Sequence, residues 1–375
     1  MRNASLAGLM SALFLVTGCG VVQLPGLDKK SEARKGPPPP PPTEPVNPIT
    51  IDGEILDLST AGIVEASSSA PFEGRPPPPP PPPPALPSVS LANINAMKCS
   101  QVGDIETNSL AEIMNATAAE PNVQPQAVNA QTVSMLDDFP GIVKLEPKRD
   151  EAPGVVTSGH CGATRIAESW FVTAAHCVDQ AYDRIELIAG TTDISSPFAR
   201  RIEADAVICH GGYAGETGRY ANDIALLHIP EEAVVSLSET PISDLEPTNF
   251  PLTSSRYPVA HMAGWGLTGF EQELSNTLQT ADLSLVGSGP ATIIVSSKTE
   301  AGPCIGDSGG PLFITEDSGI RTLVGVLSVI EARAETGQFC EGDYQARYTN
   351  MAGFIDWIDE VMLYCSLDPD LCARN

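Results

Sequence analysis

The sequence predicts an all-β fold with one C-terminal helix, set behind a disordered proline-rich segment. Three observations lead there. Between residues 128 and 364, short apolar runs alternate with polar residues and are broken by Gly and Pro, the pattern of half-buried strands joined by turns. A helix-like spacing of apolar residues is confined to roughly Met351–Tyr364. Finally, 20 of the 35 prolines fall in residues 1–98, leaving near-ordinary usage in the remainder.

Charge divides the chain the other way. The formal net charge is −26, of which residues 1–98 carry −1 and residues 99–375 carry −25. A surface this acidic argues against sequence-independent nucleic-acid binding, which needs a basic face for the phosphates. Hydrophobic residues make up 42%, enough for a real core. The nine cysteines are an odd number. Eight could pair in an oxidising compartment, and the ninth needs another explanation.

Residues 1–18 read as a signal segment. Arg2 opens it, and an apolar run from about Leu6 to Val16 follows, too short to span a bilayer as a helix. The run ends Leu15-Val16-Thr17-Gly18-Cys19. This resembles a bacterial lipoprotein signal. The resemblance implies cleavage before Cys19 and acylation of its thiol and new amine. Two or more acyl chains give stable membrane attachment, at roughly 0.8 kcal/mol per buried methylene. The alternative is an ordinary secretory signal in which Cys19 is incidental. Lipidation of Cys19 would leave eight cysteines and place the protein outside the cytoplasm, on the periplasmic or surface face of a cell envelope.

Residues 19–98 read as a tether. Pro37–Pro42 and Pro76–Pro84 are uninterrupted runs that favour the polyproline II helix, a stiff spacer of about 3.1 Å per residue. Between them, Ile49, Ile51, Ile55, Leu56 and Leu58 could make a short strand, with no core of their own. A ligand for a proline-binding module is the other reading. Residues 99–127 are a pro-segment or N-terminal extension, and 365–375 form a tail.

Chemistry concentrates in residues 128–364. Trp170–Cys177 reads as a β-rich run that ends in a turn at His176. Asn222–Ile229 places Asp223 at the head of an apolar strand. Gly306-Asp307-Ser308-Gly309-Gly310-Pro311 sets a serine among glycines. Acyl transfer needs a nucleophile, a base to take its proton and a carboxylate to orient that base. Glycines beside the serine let the backbone bend and aim N–H groups at a developing oxyanion.

Thr173-Ala174-Ala175-His176-Cys177, Asp223-Ile224-Ala225-Leu226-Leu227 and Gly306–Pro311 resemble the hallmark boxes of the chymotrypsin-like (trypsin-fold) serine proteases, in the family's order. Phe139–Leu145, Cys161-Gly162, Gly264-Trp265-Gly266, Tyr348-Thr349-Asn350 and Phe354–Ile358 match further parts of the family frame. The resemblance implies two packed six-stranded antiparallel β-barrels with the site between them. It implies His176 as general base and acid, Asp223 as its orienting partner and Ser308 as nucleophile. It further implies an oxyanion hole from the N–H groups of Gly306 and Ser308, with Ser328 supporting Asp223. Cys161 with Cys177 and Cys304 with Cys340 correspond to family disulfides. Cys365 and Cys372, seven apart, could pair locally, and by elimination Cys99 would then join Cys209.

The expected reaction is peptide-bond hydrolysis through an acyl-enzyme. The family's pocket positions fall on Gly302 at the base and Ile330 and Ala346 on the walls. Gly302 supplies no counter-charge for Lys or Arg, and Ile330 would shorten the pocket, so small or medium apolar residues are expected at the cleaved position. Glu331 lies near the rim. The alternative is a catalytically silent protease-fold protein used for binding or adhesion, which usually loses a triad residue; none is lost here. The five histidines (160, 176, 210, 228 and 261) show no metal spacing, and no cofactor is expected. Expected partners are protein or peptide substrates, the membrane through Cys19, and an activating protease. In the family, a newly cut N-terminal ammonium pairs with the Asp before the nucleophile, here Asp307. The corresponding start falls near Val128, but the usual Gly-Gly is missing and Gln126, not Lys or Arg, stands nearby.

Overall fold

The computed structural model describes residues 89–99, 130–179, 182–237, 240–243, 245, 252–268, 273–297, 301–331, 340 and 344–373. Cys19, both proline runs, the 49–58 stretch, Gln126 and Val128 lie outside them.

Strands dominate, and they build two antiparallel sheets. The first contains β1 (Ala96–Lys98), β3 (Ile142–Ala152), β4 (Val155–Ser158), β5 (Cys161–Arg165), β6 (Trp170–Thr173), β7 (Arg184–Ala189), β8 (Arg200–Glu203), β9 (Ala206–His210) and β10 (Ala225–His228). Their order is β1-β9-β10-β6-β5-β3-β7-β8, with β4 folded back on β3. The second contains β2 (Gln131–Thr132), β11 (Val259–Gly264), β12 (Gln279–Ser288), β13 (Thr292–Ser297), β14 (Pro311–Thr315), β15 (Arg321–Ile330) and β16 (Tyr344–Asn350). Here β11-β14-β15-β16-β13-β12 closes on itself through β11–β12 pairing, and β2 adds to β12. Closure removes free edges from a sheet that would otherwise template aggregation.

Burial follows sequence pattern. In β13, Ile293, Val295 and Ser297 are buried and the residues between are half-buried, the period of two expected of a sheet with one covered face. β5 and β6 are buried throughout, because the second sheet covers the face that would otherwise be wet. Phe313 of β14 meets Phe139 edge-on, ring centroids 6.0 Å apart, and joins the core of the first sheet with Leu323 and Val326 of β15.

Among the described residues the α-helices are few: α1 (Glu231–Val234), α2 (Ile355–Leu367) and α3 (Pro369–Cys372). Helix α2 buries Trp357, Ile358, Val361 and Cys365, one face at helical spacing. Among the described residues, no helix is long and apolar enough to cross a membrane.

Disulfides join Cys161 to Cys177, Cys304 to Cys340, Cys365 to Cys372 and Cys99 to Cys209. The last is anchored at Cys99, directly after the segment that composition assigns to the tether. Residues 89–99 instead lie on the first sheet, so the folded part begins before the compositional boundary at 98. A single 3-10 turn, Leu91–Ile94, buries Ile94; β1 then pairs with β9. The Trp357 indole N–H and the Gly211 N–H both donate to the Asn95 carbonyl, at 3.1 and 2.6 Å. Lys98 donates to the Ala373 carbonyl at 2.7 Å. This strap therefore clasps the first sheet and the C-terminal helices together.

Replacing both Cys99 and Cys209 by Ser should cost about 2–5 kcal/mol, because the bridge closes a long loop in the unfolded chain. Urea midpoints would measure the loss, and amide exchange in 89–98 should rise. An unchanged midpoint and unchanged exchange would show that the strap holds without its bridge.

Candidate active site

His176 sits in the 3-10 turn Ala175–Cys177, directly after β6. Asp223, fully buried, stands two residues before β10. The two are brought into direct contact. The Asp223 carboxylate accepts from the His176 backbone N–H at 3.0 Å through Oδ1, and its Oδ2 lies 2.8 Å from His176 Nδ1. The Ser328 hydroxyl, on β15, donates to the same Oδ2 at 2.6 Å. Thr349, on β16, donates to the Asp223 carbonyl at 2.8 Å. With Nδ1 committed to the carboxylate, His176 has Nε2 left as its second ring nitrogen.

Ser308 lies in the turn that precedes β14. Asp307 N–H donates to the Cys304 carbonyl at 3.0 Å and Gly310 N–H to the Asp307 carbonyl at 2.9 Å, which tightens the turn. Gly309 adopts φ +73°, and a Cβ there would meet Thr173 Oγ1 at about 2.2 Å. Only glycine lets the serine turn approach the strand that carries His176. Gly162 N–H donates to the Ser308 carbonyl at 2.7 Å, a second tie between this turn and the first sheet. Among the described residues, the Ser308 hydroxyl and the N–H groups of Gly306 and Ser308 make no hydrogen bond.

A trypsin-family domain model matches residues 139–358, which spans both sheets and this arrangement. The chain belongs to the trypsin family. It is 30% identical over 219 residues to coagulation factor IX of Cavia porcellus, covering 54% of this chain and 72% of that protein. It is also 30% identical over 224 residues to a fibrinolytic enzyme, isozyme C, of Lumbricus rubellus, covering 54% of this chain and 88% of that one. The family's members are serine proteases that act on protein or peptide substrates, and the two-sheet architecture is the trypsin fold.

In this trypsin-family chain, two of the three positions expected to form the pocket are neighbours, and the third, Gly302, lies against Tyr344. Ile330 and Ala346 are cross-strand partners in the β15–β16 ladder. A Cβ on Gly302 would lie 2.6 Å from the Tyr344 hydroxyl, which itself donates to the Pro303 carbonyl at 2.7 Å. Tyr344 thus stands against Gly302, a contact the linear sequence does not reveal. Glu331 pairs loosely with Arg347, 3.8 Å away.

Cys161, His176 and Cys177 lie close enough together to suggest a metal cluster, yet both sulfurs are spent in a disulfide and offer no thiolate.

Electrostatics around His176 contain a residue that motif reading missed. Burial lowers the affinity of His176 for a proton, but the Asp223 charge and hydrogen bond, with help from Asp179, outweigh it and hold the pKa above its ordinary value. Asp179 is itself 1% exposed. Tyr213 O–H donates to its Oδ2 at 2.6 Å, while Oδ1 has no partner among the described residues. Burial pushes the Asp179 pKa up to about 6, and the nearby Asp223 adds to the shift, against the Tyr213 hydrogen bond and the charge of His176. The signal available in sequence was only an Asp two residues past the Cys177 box.

Asp179 binds its proton more tightly folded than unfolded, where it titrates near 3.8. Its contribution to stability is therefore full below about pH 4 and is lost as pH rises through about 6. The stability of Asp179→Asn relative to the unsubstituted chain should rise by about 3 kcal/mol between pH 4 and pH 7. Denaturant titrations across that range would measure it; a pH-independent difference would place Asp179 in a wetter site.

Ser328→Ala removes one donor to the buried Asp223 carboxylate and should cost about 1–3 kcal/mol. Chemical denaturation at constant pH checks it.

Proposed function

We propose that this protein is a serine endopeptidase working through His176, Asp223 and Ser308. The observation that carries the reading is the fully buried Asp223 carboxylate held by His176 and Ser328, together with a turn whose serine hydroxyl and two N–H groups have no partner among the described residues. His176 Nε2 takes the Ser308 proton as the oxygen attacks the substrate carbonyl. The resulting oxyanion accepts from the N–H groups of Gly306 and Ser308. His176 then returns the proton to the leaving amine, which departs and leaves an acyl-Ser308 ester. Water, deprotonated by the same nitrogen, attacks the ester; the acid product leaves and Ser308 regains its proton. The Asp223 carboxylate orients and stabilises the imidazolium at each stage. Removing an oxyanion donor in such a site costs about 2.7–4 kcal/mol of transition-state stabilisation.

The pocket reading is small or medium apolar residues at the cleaved position. It is supported by the uncharged base at Gly302 and by Ile330 and Ala346 side by side on the wall. The proposed setting is the outer side of a membrane, with the catalytic part carried on a proline-rich spacer from an acylated Cys19. That setting rests on the Leu15–Cys19 motif and on four disulfides, which persist in oxidising compartments.

A fluorophosphonate probe should label the protein and leave Ser308→Ala unlabelled, and turnover of peptides should fall about a millionfold in that variant. Equal labelling of both proteins would end the assignment of Ser308. Profiling against a peptide library should show small or medium apolar residues at the cleaved position, and a profile dominated by Lys or Arg would overturn the pocket reading.

A further inference from the structure

Lys144 is a lysine where strand patterning asks for an apolar residue. It lies in β3 between Val143 and Leu145 and is 1% exposed. Among the described residues its ammonium makes one hydrogen bond, donating to the Gly306 carbonyl at 3.3 Å. A buried ammonium with one neutral acceptor is costly unless a charge of opposite sign is close. Burial pulls its pKa down to about 8, while Asp307 first and Glu146 second act to hold the proton on.

Asp307 is the matching buried anion, 6% exposed. Gly266 N–H and Cys304 N–H donate to its two oxygens at 2.6 and 2.9 Å. The carboxylate fills a slot that a side chain would close: a Cβ on Gly266 would lie 2.5 Å from its Cγ. Burial raises the Asp307 pKa to about 6 against the pull of those two N–H groups and of Lys144. Carboxylate and ammonium are thus each fixed by the fold, the one on Asp307 and the other against the carbonyl of the preceding residue, Gly306.

We propose that Lys144 is the internal counter-charge of Asp307 and, through the Gly306 carbonyl, a positioning residue for the 304–308 turn. The inference rests on the serine-protease reading only for what the turn does. A side-chain ammonium already inside the core would set the turn in the uncut chain, with no new N-terminus inserted near Asp307. It would also account for an N-terminal region without the Gly-Gly and basic residue that activating cleavage ordinarily uses.

The test uses the full chain in two arms. In the first, Lys144→Met, Asp307→Asn and the double variant are compared by denaturant unfolding on a Ser308→Ala background, which removes self-cleavage. Coupled partners give a double variant more stable than the sum of the single losses predicts; additive losses would overturn the proposal. Because Lys144→Met could fail to fold, the lysine ε-carbon resonance of Lys144 is also titrated with and without Asp307→Asn. Its pKa should fall when the carboxylate is neutralised, and an unmoved titration would overturn the pairing. In the second arm, the uncut chain with Ser308 intact should react with a fluorophosphonate probe, and Lys144→Met should react at least tenfold more slowly. Labelling that begins only after cleavage near Val128, or that ignores Lys144→Met, would overturn the positioning role. Coupling in the first arm with no labelling of any form would leave the counter-charge standing and sink the protease reading instead.

Discussion

A fully buried carboxylate organises the molecule. Asp223 has no exposed surface, and an ionised group in such a place costs several kcal/mol unless its lone pairs are filled. They are filled from both sheets. His176 comes from the turn after β6 in the first, and Ser328 from β15 in the second; Thr349 on β16 holds the carbonyl of the same residue. The donors meet only when the two sheets close in one register. The geometry around His176 and Asp223 and the packing of the two sheets are for this reason one constraint.

The serine turn answers to a similar logic with backbone in place of charge. Gly309 can lie against Thr173, and Gly162 can donate to the Ser308 carbonyl, because no side chain stands between. Asp307 within the turn and Lys144 against it are both withdrawn from water. A flexible glycine loop is thereby held from two sides, by close backbone contact in front and by buried charge behind. Pre-organisation of this kind lets N–H dipoles act without reorganising during the reaction.

Much of this was legible in the chain. The His176, Asp223 and Ser308 boxes were readable because each is a short, contiguous run, and the structure brings His176 and Asp223 into contact. The second sheet's alternation, as in β13, was readable because one of its faces is covered. Lys144 was not legible: Ile142–Leu145 are buried on both faces of β3, whereas a lysine in a strand ordinarily marks a face turned to water. Tyr344 and Asp179 escaped for another reason. Their partners, Gly302 and Tyr213, lie dozens of residues away, and nothing local marks the pairing. The strap at 89–99 escaped because β1 is three residues long and follows a proline run whose composition speaks for a spacer.

That strap has a topological consequence. Cys99 and Cys209 lie on opposite sides of the stretch 100–208 in the chain, yet are joined by a covalent stitch. A single nick anywhere in that stretch converts one polypeptide into two without parting them. Whatever the N-terminal arm is attached to stays attached to the histidine, the aspartate and the serine. Severing the arm from the folded body takes two chemistries, hydrolysis of a peptide bond and reduction of a disulfide, or else a cut on the arm's own side of Cys99.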